Sequence, residues 1–265
     1  MPRFSANLSM LFTEHEFLDR FDAAAKAGFG GVEYIAPYDH APETVAARLK
    51  QNGLVQVLFN LPPGDWANGE RGIAVLPDRV EEFRAGVETA ITYANTLGCG
   101  QVNCLAGIAP VGVERDVLEK VFVENLSFAA EKLKAAGIRL LIEPINTRDI
   151  PGFFLTNTKQ ALDIIKRVGS DNLYLQYDIY HMQIMEGDLA RTIEANLGRI
   201  AHIQLADNPG RHEPGTGEIN YPFLYEHLDR IGYSGWVGAE YKPKAGTFEG
   251  LGWFREFAGK ASVAA

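Results

Sequence analysis

Cysteine is almost missing from this chain: only Cys99 and Cys104 occur in 265 residues. Two thiols cannot form the framework of a disulfide-stapled fold, and their spacing matches no zinc-ligand pattern, so both read as reduced core residues. Basic residues are also short, 25 Lys and Arg against 34 Asp and Glu, for a net charge of -9. A surface of that sign has no general attraction for phosphate backbones or anionic membranes, so neither nucleic acid nor membrane is expected as a partner. No window approaches the roughly 18 uninterrupted apolar residues of a membrane span. The N-terminal stretch also lacks the basic segment and apolar core of a secretory leader, and a cytoplasmic location is expected. A dinucleotide-binding glycine loop is missing as well. The nearest cluster, Gly28, Gly30 and Gly31, follows a helical pattern instead of the first strand.

What is present is an ordinary globular composition, 46% hydrophobic and 22% charged. The length is close to the roughly 250 residues of a (β/α)8 barrel. Apolar runs bounded by turn residues predict strands at 4–10, 31–35, 54–59, 101–105, 138–143, 173–178, 200–207 and 236–240. Helical spacing predicts helices at 14–27, 43–52, 77–97, 114–136, 157–168, 188–197, 222–231 and 248–260. Gly28, Gly53, Gly98 and Gly137 stand where helices end, and Thr156 or Asn157 can cap the helix that follows. Loop 60–77 is long enough to expect a job of it, and 144–155 is a second irregular loop and 208–220 a Gly/Pro-rich one. Eight alternations with no linker predict an α/β fold, a parallel sheet closed into a (β/α)8 TIM barrel as one domain over 1–265. An open doubly wound sheet is the alternative, and it would want the glycine loop that is lacking.

The chemistry concentrates at strand ends. Leu140, Leu141 and Ile142 form an apolar run that stops abruptly at Glu143, followed by Pro144, which cannot continue a ladder. Three more strands share this shape and carry a metal-capable oxygen at or near their ends, on Asp178, Gln204 and Glu240. The spacings are 35, 26 and 36 residues, about one strand-helix unit each. In a barrel of this kind the C-terminal strand ends build the active site, so the four would sit on adjacent staves of one mouth. Three converging carboxylates repel one another, and a divalent cation resolves that repulsion. An all-oxygen donor set favours Mg or Mn over zinc and leaves about two octahedral positions open.

These residues also carry a resemblance. Glu143-Pro144-Ile145-Asn146, Asp178-x-Tyr180-His181, His202-Ile203-Gln204 and Gly215-Thr216-Gly217-Glu218-Ile219-Asn220 resemble the xylose-isomerase-like barrels. Within them the match is closest to the hydroxypyruvate isomerase and 2-oxo-tetronate isomerase group, and it extends over essentially the whole chain. The resemblance implies metal ligation by Glu143, Asp178, Gln204 and Glu240, with Glu143 and Glu240 also acting as the acid/base pair. It implies substrate contact by His181. Related ketose 3-epimerases carry histidine where this chain has Gln204, which weakens a free-ketose epimerase reading.

The implied reaction is isomerisation of a small 2-oxo-3-hydroxy acid such as hydroxypyruvate or a 2-oxo-tetronate, through an enediolate. A substrate carboxylate needs a cation at the mouth, and Lys242, Arg71 and Arg211 are the candidates. Trp66 and the glycines around it suggest a mobile lid over the mouth. Two rivals come from other classes. An endonuclease on the same barrel would want a histidine-rich zinc cluster, whereas the six histidines here are scattered. A non-catalytic sugar-acid-binding protein would not need both Glu143 and Glu240. No interface stripe stands out, which leaves homo-oligomerisation open.

Overall fold

The computed structural model describes residues 2–261. Its strands are β1 (Arg3–Asn7), β2 (Gly31–Glu33), β3 (Val55–Leu58), β4 (Gln101–Cys104), β5 (Arg139–Ile142), β6 (Leu173–Asp178), β7 (Ile200–Leu205) and β8 (Trp236–Ala239). All pair in parallel, in the order β3-β2-β1-β8-β7-β6-β5-β4. The two ends of that order meet just past β3. Asn103 N donates to Phe59 O at 3.0 Å and Leu61 N donates to Asn103 O at 2.8 Å, which closes the barrel.

The helices are α1 (Arg20–Ala27), α2 (Pro42–Asn52), α3 (Val80–Leu97), α4 (Arg115–Ala135), α5 (Thr158–Val168), α6 (Ile179–Met185), α7 (Leu189–Ala195), α8 (Tyr221–Arg230) and α9 (Gly252–Ala261). Their inner faces follow the sequence spacing: α3 buries Phe83, Val87, Ala90, Ala94 and Leu97, and Gly98 ends it at φ 65°. Among the described residues no helix is long and apolar enough to cross a membrane.

Strand ends differ from the sequence expectation where side chains turn the chain. β1 stops at Asn7 because Asn7 O accepts from Leu11 N at 2.8 Å and its Oδ1 accepts from Ser9 N at 3.0 Å, bending the backbone out of the ladder. α6 was not anticipated. It starts directly on Asp178, whose Oδ1 accepts from Tyr180 N at 2.7 Å and His181 N at 3.3 Å. The helix expected over 188–197 is correspondingly shorter, Leu189–Ala195.

The large core lies between strands and helices. A small second cluster, Val57, Leu58, Leu141 and Ala201 with Tyr174 and Trp236 packed on it, closes the N-terminal end of the barrel. A Cβ on Gly31 would stand 2.7 Å from Val57 and 3.0 Å from the Trp236 ring, so glycine is what admits that indole. Above the plug the interior is polar: Ser5, Asn7, Glu33, Asn103, Gln176, His202 and Gln204 are all buried. Barrel interiors are ordinarily filled by branched apolar side chains. Here the site reaches down into the barrel.

Of the two candidate caps for α5, Asn157 performs the role, its Oδ1 accepting from Gln160 N at 2.9 Å. Asn157→Ala is expected to lower stability by about 1 kcal/mol, read as a lower urea midpoint with an unchanged slope.

Candidate active site

Glu143 and Glu240 each stand one residue beyond a strand, β5 and β8, while Asp178 ends β6 and His181 lies on the first turn of α6. One ligand atom from each of these four buried residues falls within 4.8 Å of the others. The expected convergence of the three carboxylates is therefore met, with a histidine added.

Asp178 is divided in its duties. Its Oδ1 caps α6, whereas its Oδ2 is buried and has no hydrogen-bond partner. An orphaned carboxylate oxygen beside two other carboxyls is one that could hold a cation, and the oxygen-rich donor set fits a hard divalent ion. Burial is the main force on all three acids. It raises Glu143 well above the usual carboxylate range, reinforced by Glu240 and Asp178 nearby. It also raises Asp178, which the Arg211 charge pulls back. Glu240 is pushed up to about 8 by burial, again opposed by Arg211.

His181 is held by Asn146. The amide orientation of Asn146 is fixed because its Oδ1 accepts from Arg148 N at 3.0 Å and Asp149 N at 2.8 Å. Its Nδ2 therefore faces His181 Nδ1 at 2.6 Å, and that ring nitrogen must accept. Burial depresses the His181 pKa well below its ordinary value, with Arg211 adding to the effect. The neutral ring then carries its proton on Nε2, a donor aimed at the cluster. Arg211 Nη2 also approaches this nitrogen, but at 3.5 Å the contact is the weaker of the two. His181 therefore presents a hydrogen-bond donor to the cluster.

Arg211 reaches in from the loop after β7. Its Nη2 donates to Glu240 Oε2 at 2.7 Å and lies 3.9 Å from Asp178 Oδ2, and its guanidinium covers the Tyr180 ring at 5.1 Å. Burial opposes its charge, but Glu240, Asp178 and Asp149 more than offset this and raise its pKa. The residue adopts φ 53°, a left-handed conformation rare for a side chain of this size. Asp207 fixes the loop: its carboxylate accepts from the backbone N–H of Asn208, Gly215, Gly217 and Ile219 at 2.8–3.1 Å. Lys242 N donates to Arg211 O at 2.8 Å.

A cavity of about 430 Å³ opens above the cluster. Trp66, Arg71, His181, Arg211 and Lys242 all line it, and Met10, Ile35, Leu105, Ile145 and Ile150 form an apolar wall. Arg71 stacks on Trp66 at 4.0 Å and donates to Trp66 O and Glu70 O, so its side chain is partly engaged. The Lys242 side chain is exposed on the rim. Another cavity of about 430 Å³ lies at the opposite, N-terminal mouth, but its lining holds no carboxyl and no histidine.

Gln204 is level with Asp178 in the sheet register. Its Oε1 accepts from Gln176 Nε2 at 2.6 Å, and its Nε2 donates to Glu33 Oε1 at 2.7 Å. This lower layer also holds Glu33, Asn7, Asn103 and Gln176, which no clear sequence signal marks, and His202, which sequence marks only as part of a motif. Glu33 follows the rule used for the others, an apolar run ended by a carboxylate, but its strand has only three residues and Tyr34 and Ile35 continue the run.

A family model described as a xylose isomerase-like TIM barrel matches residues 21–257. The chain belongs to that family. Within the family it is 55% identical to the hydroxypyruvate isomerase of Escherichia coli (strain K12) over 253 residues, 96% of this chain and 98% of the relative. It is 50% identical to the 2-oxo-tetronate isomerase of Cupriavidus necator over 260 residues, 98% of this chain and 100% of the relative. A solved structure described as an AP endonuclease, family 2, from Brucella melitensis superposes with a TM-score of 0.95 at 50% identity, covering 97% of this chain and 99% of that one. Among xylose isomerase-like barrels, this one falls in the hydroxypyruvate and 2-oxo-tetronate isomerase group, and it is an isomerase.

Asp207→Ala is expected to free the loop that carries Arg211. Amide hydrogen exchange at 208, 215, 217 and 219 should accelerate strongly, while the barrel strands keep their protection.

Proposed function

We propose that this isomerase interconverts a small 2-oxo-3-hydroxy acid and its 2-hydroxy-3-oxo isomer, with hydroxypyruvate and tartronate semialdehyde as the pair, in the presence of Mg or Mn. The observation that carries the proposal is the buried meeting of Glu143, Asp178 and Glu240, with Asp178 Oδ2 left without a hydrogen-bond partner among them. Asp178, Glu143, Glu240 and the amide oxygen of Gln204 would hold the cation. When bound, it would act as a Lewis acid that stabilises negative charge on the substrate oxygens.

The chain's own residues do the rest. One of Glu143 and Glu240 takes the proton from C3, the electron pair of that bond forms the C2–C3 double bond of an enediolate, and the other returns a proton to C2. The remaining hydroxyl proton passes from the C3 oxygen to the C2 oxygen. Raised carboxyl pKa values suit this work, since a carboxyl shifted above its usual range holds a proton more readily and can return it. Neutral His181 donates Nε2–H to a substrate oxygen. Arg211, Lys242 and Arg71 offer cations for the substrate carboxylate, and the loop bearing Trp66 would exclude water as a lid.

The second reading, a 2-oxo-tetronate substrate, shares the reacting end. It is favoured by the cavity, whose roughly 430 Å³ and apolar wall leave room beyond a three-carbon acid. A free-ketose 3-epimerase ranks below both, given the amide of Gln204. Nuclease action, suggested by the description of the Brucella structure, has no support in a cluster with a single histidine. The non-catalytic reading leaves the Glu143 and Glu240 pair unexplained.

Assays of hydroxypyruvate and 2-oxo-tetronate with metal-stripped protein, before and after restoring Mg or Mn, test the reading. Activity should return with metal, and the better substrate distinguishes the two acids; turnover that ignores metal would sink the proposal. Glu240→Gln should lower kcat by about 10²- to 10⁴-fold. Lys242→Ala should raise KM with little change in kcat. If Lys242→Ala, Arg71→Ala and Arg211→Ala all left KM unaltered, carboxylate recognition by these residues would be wrong. Saturating Mn at about 100 times its Kd should stabilise the fold by about 2.7 kcal/mol, seen as a higher Tm.

A further inference from the structure

Glu33 is fully buried inside the barrel, one layer beneath the acid cluster. Its Oε1 accepts from Gln204 Nε2 at 2.7 Å and Asn7 Nδ2 at 3.3 Å. Its Oε2 accepts from Ser5 Oγ at 2.8 Å and lies 2.9 Å from His202 Nε2. Strand β8, on the far side of β1 from β2, is shaped to receive it. A Cβ on Gly238 would stand 2.3 Å from both carboxylate oxygens, so any other residue there would displace the group. A carboxylate placed so deep, fitted by a glycine and held by neighbours on two strands, needs a reason.

The reason lies in what an amide can do. The two ends of a glutamine side chain have nearly the same shape but opposite hydrogen-bonding roles, and an ionised carboxylate can only accept. Glu33 therefore fixes the nitrogen of Gln204 on its own side. The oxygen is turned the other way, where it accepts from Gln176 Nε2 at 2.6 Å. Asn7 repeats the device. Its Nδ2 bridges Glu33 Oε1 and Glu240 Oε1, at 3.3 and 2.9 Å, while Ser9 N holds its oxygen.

We propose that Glu33 is a positioning residue: it fixes the amide of Gln204, and through Asn7 the carboxylate of Glu240, so that both present oxygen to a divalent cation. This rests on the metal-dependent reading above. Glu33 itself touches neither cation nor substrate. Without it the Gln204 amide is free to turn over and offer N–H, which no cation accepts.

The test is Mn binding to the full, metal-stripped chain, followed by the electron paramagnetic resonance of free Mn, with folding checked by circular dichroism. Glu33→Gln should bind Mn about 10- to 100-fold more weakly, the range for loss of a group that orients a ligand. The reciprocal swap, Glu33→Gln together with Gln204→Glu, keeps the shape, charge and hydrogen bond of the pair and should regain most of the affinity. Unchanged Mn affinity in Glu33→Gln would overturn the proposal, as would a swap that binds no better than the single variant or fails to fold. If Glu33→Gln alone does not fold, the swap decides. Wild-type protein that binds no Mn would instead remove the metal reading itself, a separable result.

Discussion

Several carboxyl groups are kept inside this barrel, and an ion removed from water must find a partner there or give up its charge. Most of the interior follows from how each acid meets that requirement. Glu33 has His202 and three hydrogen-bond donors, which overcome its burial and hold its pKa below the usual range. Asp178 has the first N–H groups of α6 on one oxygen. Glu240 has Arg211 and Asn7. Glu143 has the amide of Asn103 at 3.1 Å and hydrogen bonding from Gln176, but no cation within direct reach. It is the least compensated of the four, which accords with a role in moving a proton.

The loops answer to the same constraint. Arg211 can serve the cluster only if its backbone is pinned, and a left-handed conformation persists only where the surroundings determine it. Asp207 does this with one carboxylate spread over four N–H groups. The loop after β3 is tied as well: Glu70 accepts from Asp65 N and Arg79, so Trp66 and Arg71 are carried on a braced platform. Here the polar groups around the mouth act as struts as much as contacts.

Much of this was legible in sequence. Helices such as α2 and α3 announced themselves by apolar spacing and a closing glycine, because a helix face and its terminus are local features. Glu143, Asp178 and Glu240 stood out because a charge ending an apolar strand is conspicuous. The lower layer was not legible. Ser5, Asn7 and Gln176 lie within strands that already read as buried, and a strand pattern does not say whether an inward position faces a plug of hydrophobic side chains or a carboxylate.

The sequence by itself determined the alternation of strands and helices, the closed parallel barrel, and the three acids that converge, since these follow from periodicity and from the fixed geometry of strand ends in that fold. Only the tertiary structure decided which atoms of those acids are free. Asp178 spends one oxygen on a helix that its own sequence did not announce, and Asn146 sets the tautomer of His181 from 35 residues away. Glu33 meets Gln204 across 171 residues. Hydrogen-bond direction depends on three-dimensional neighbours, and a residue's place in the chain does not encode them.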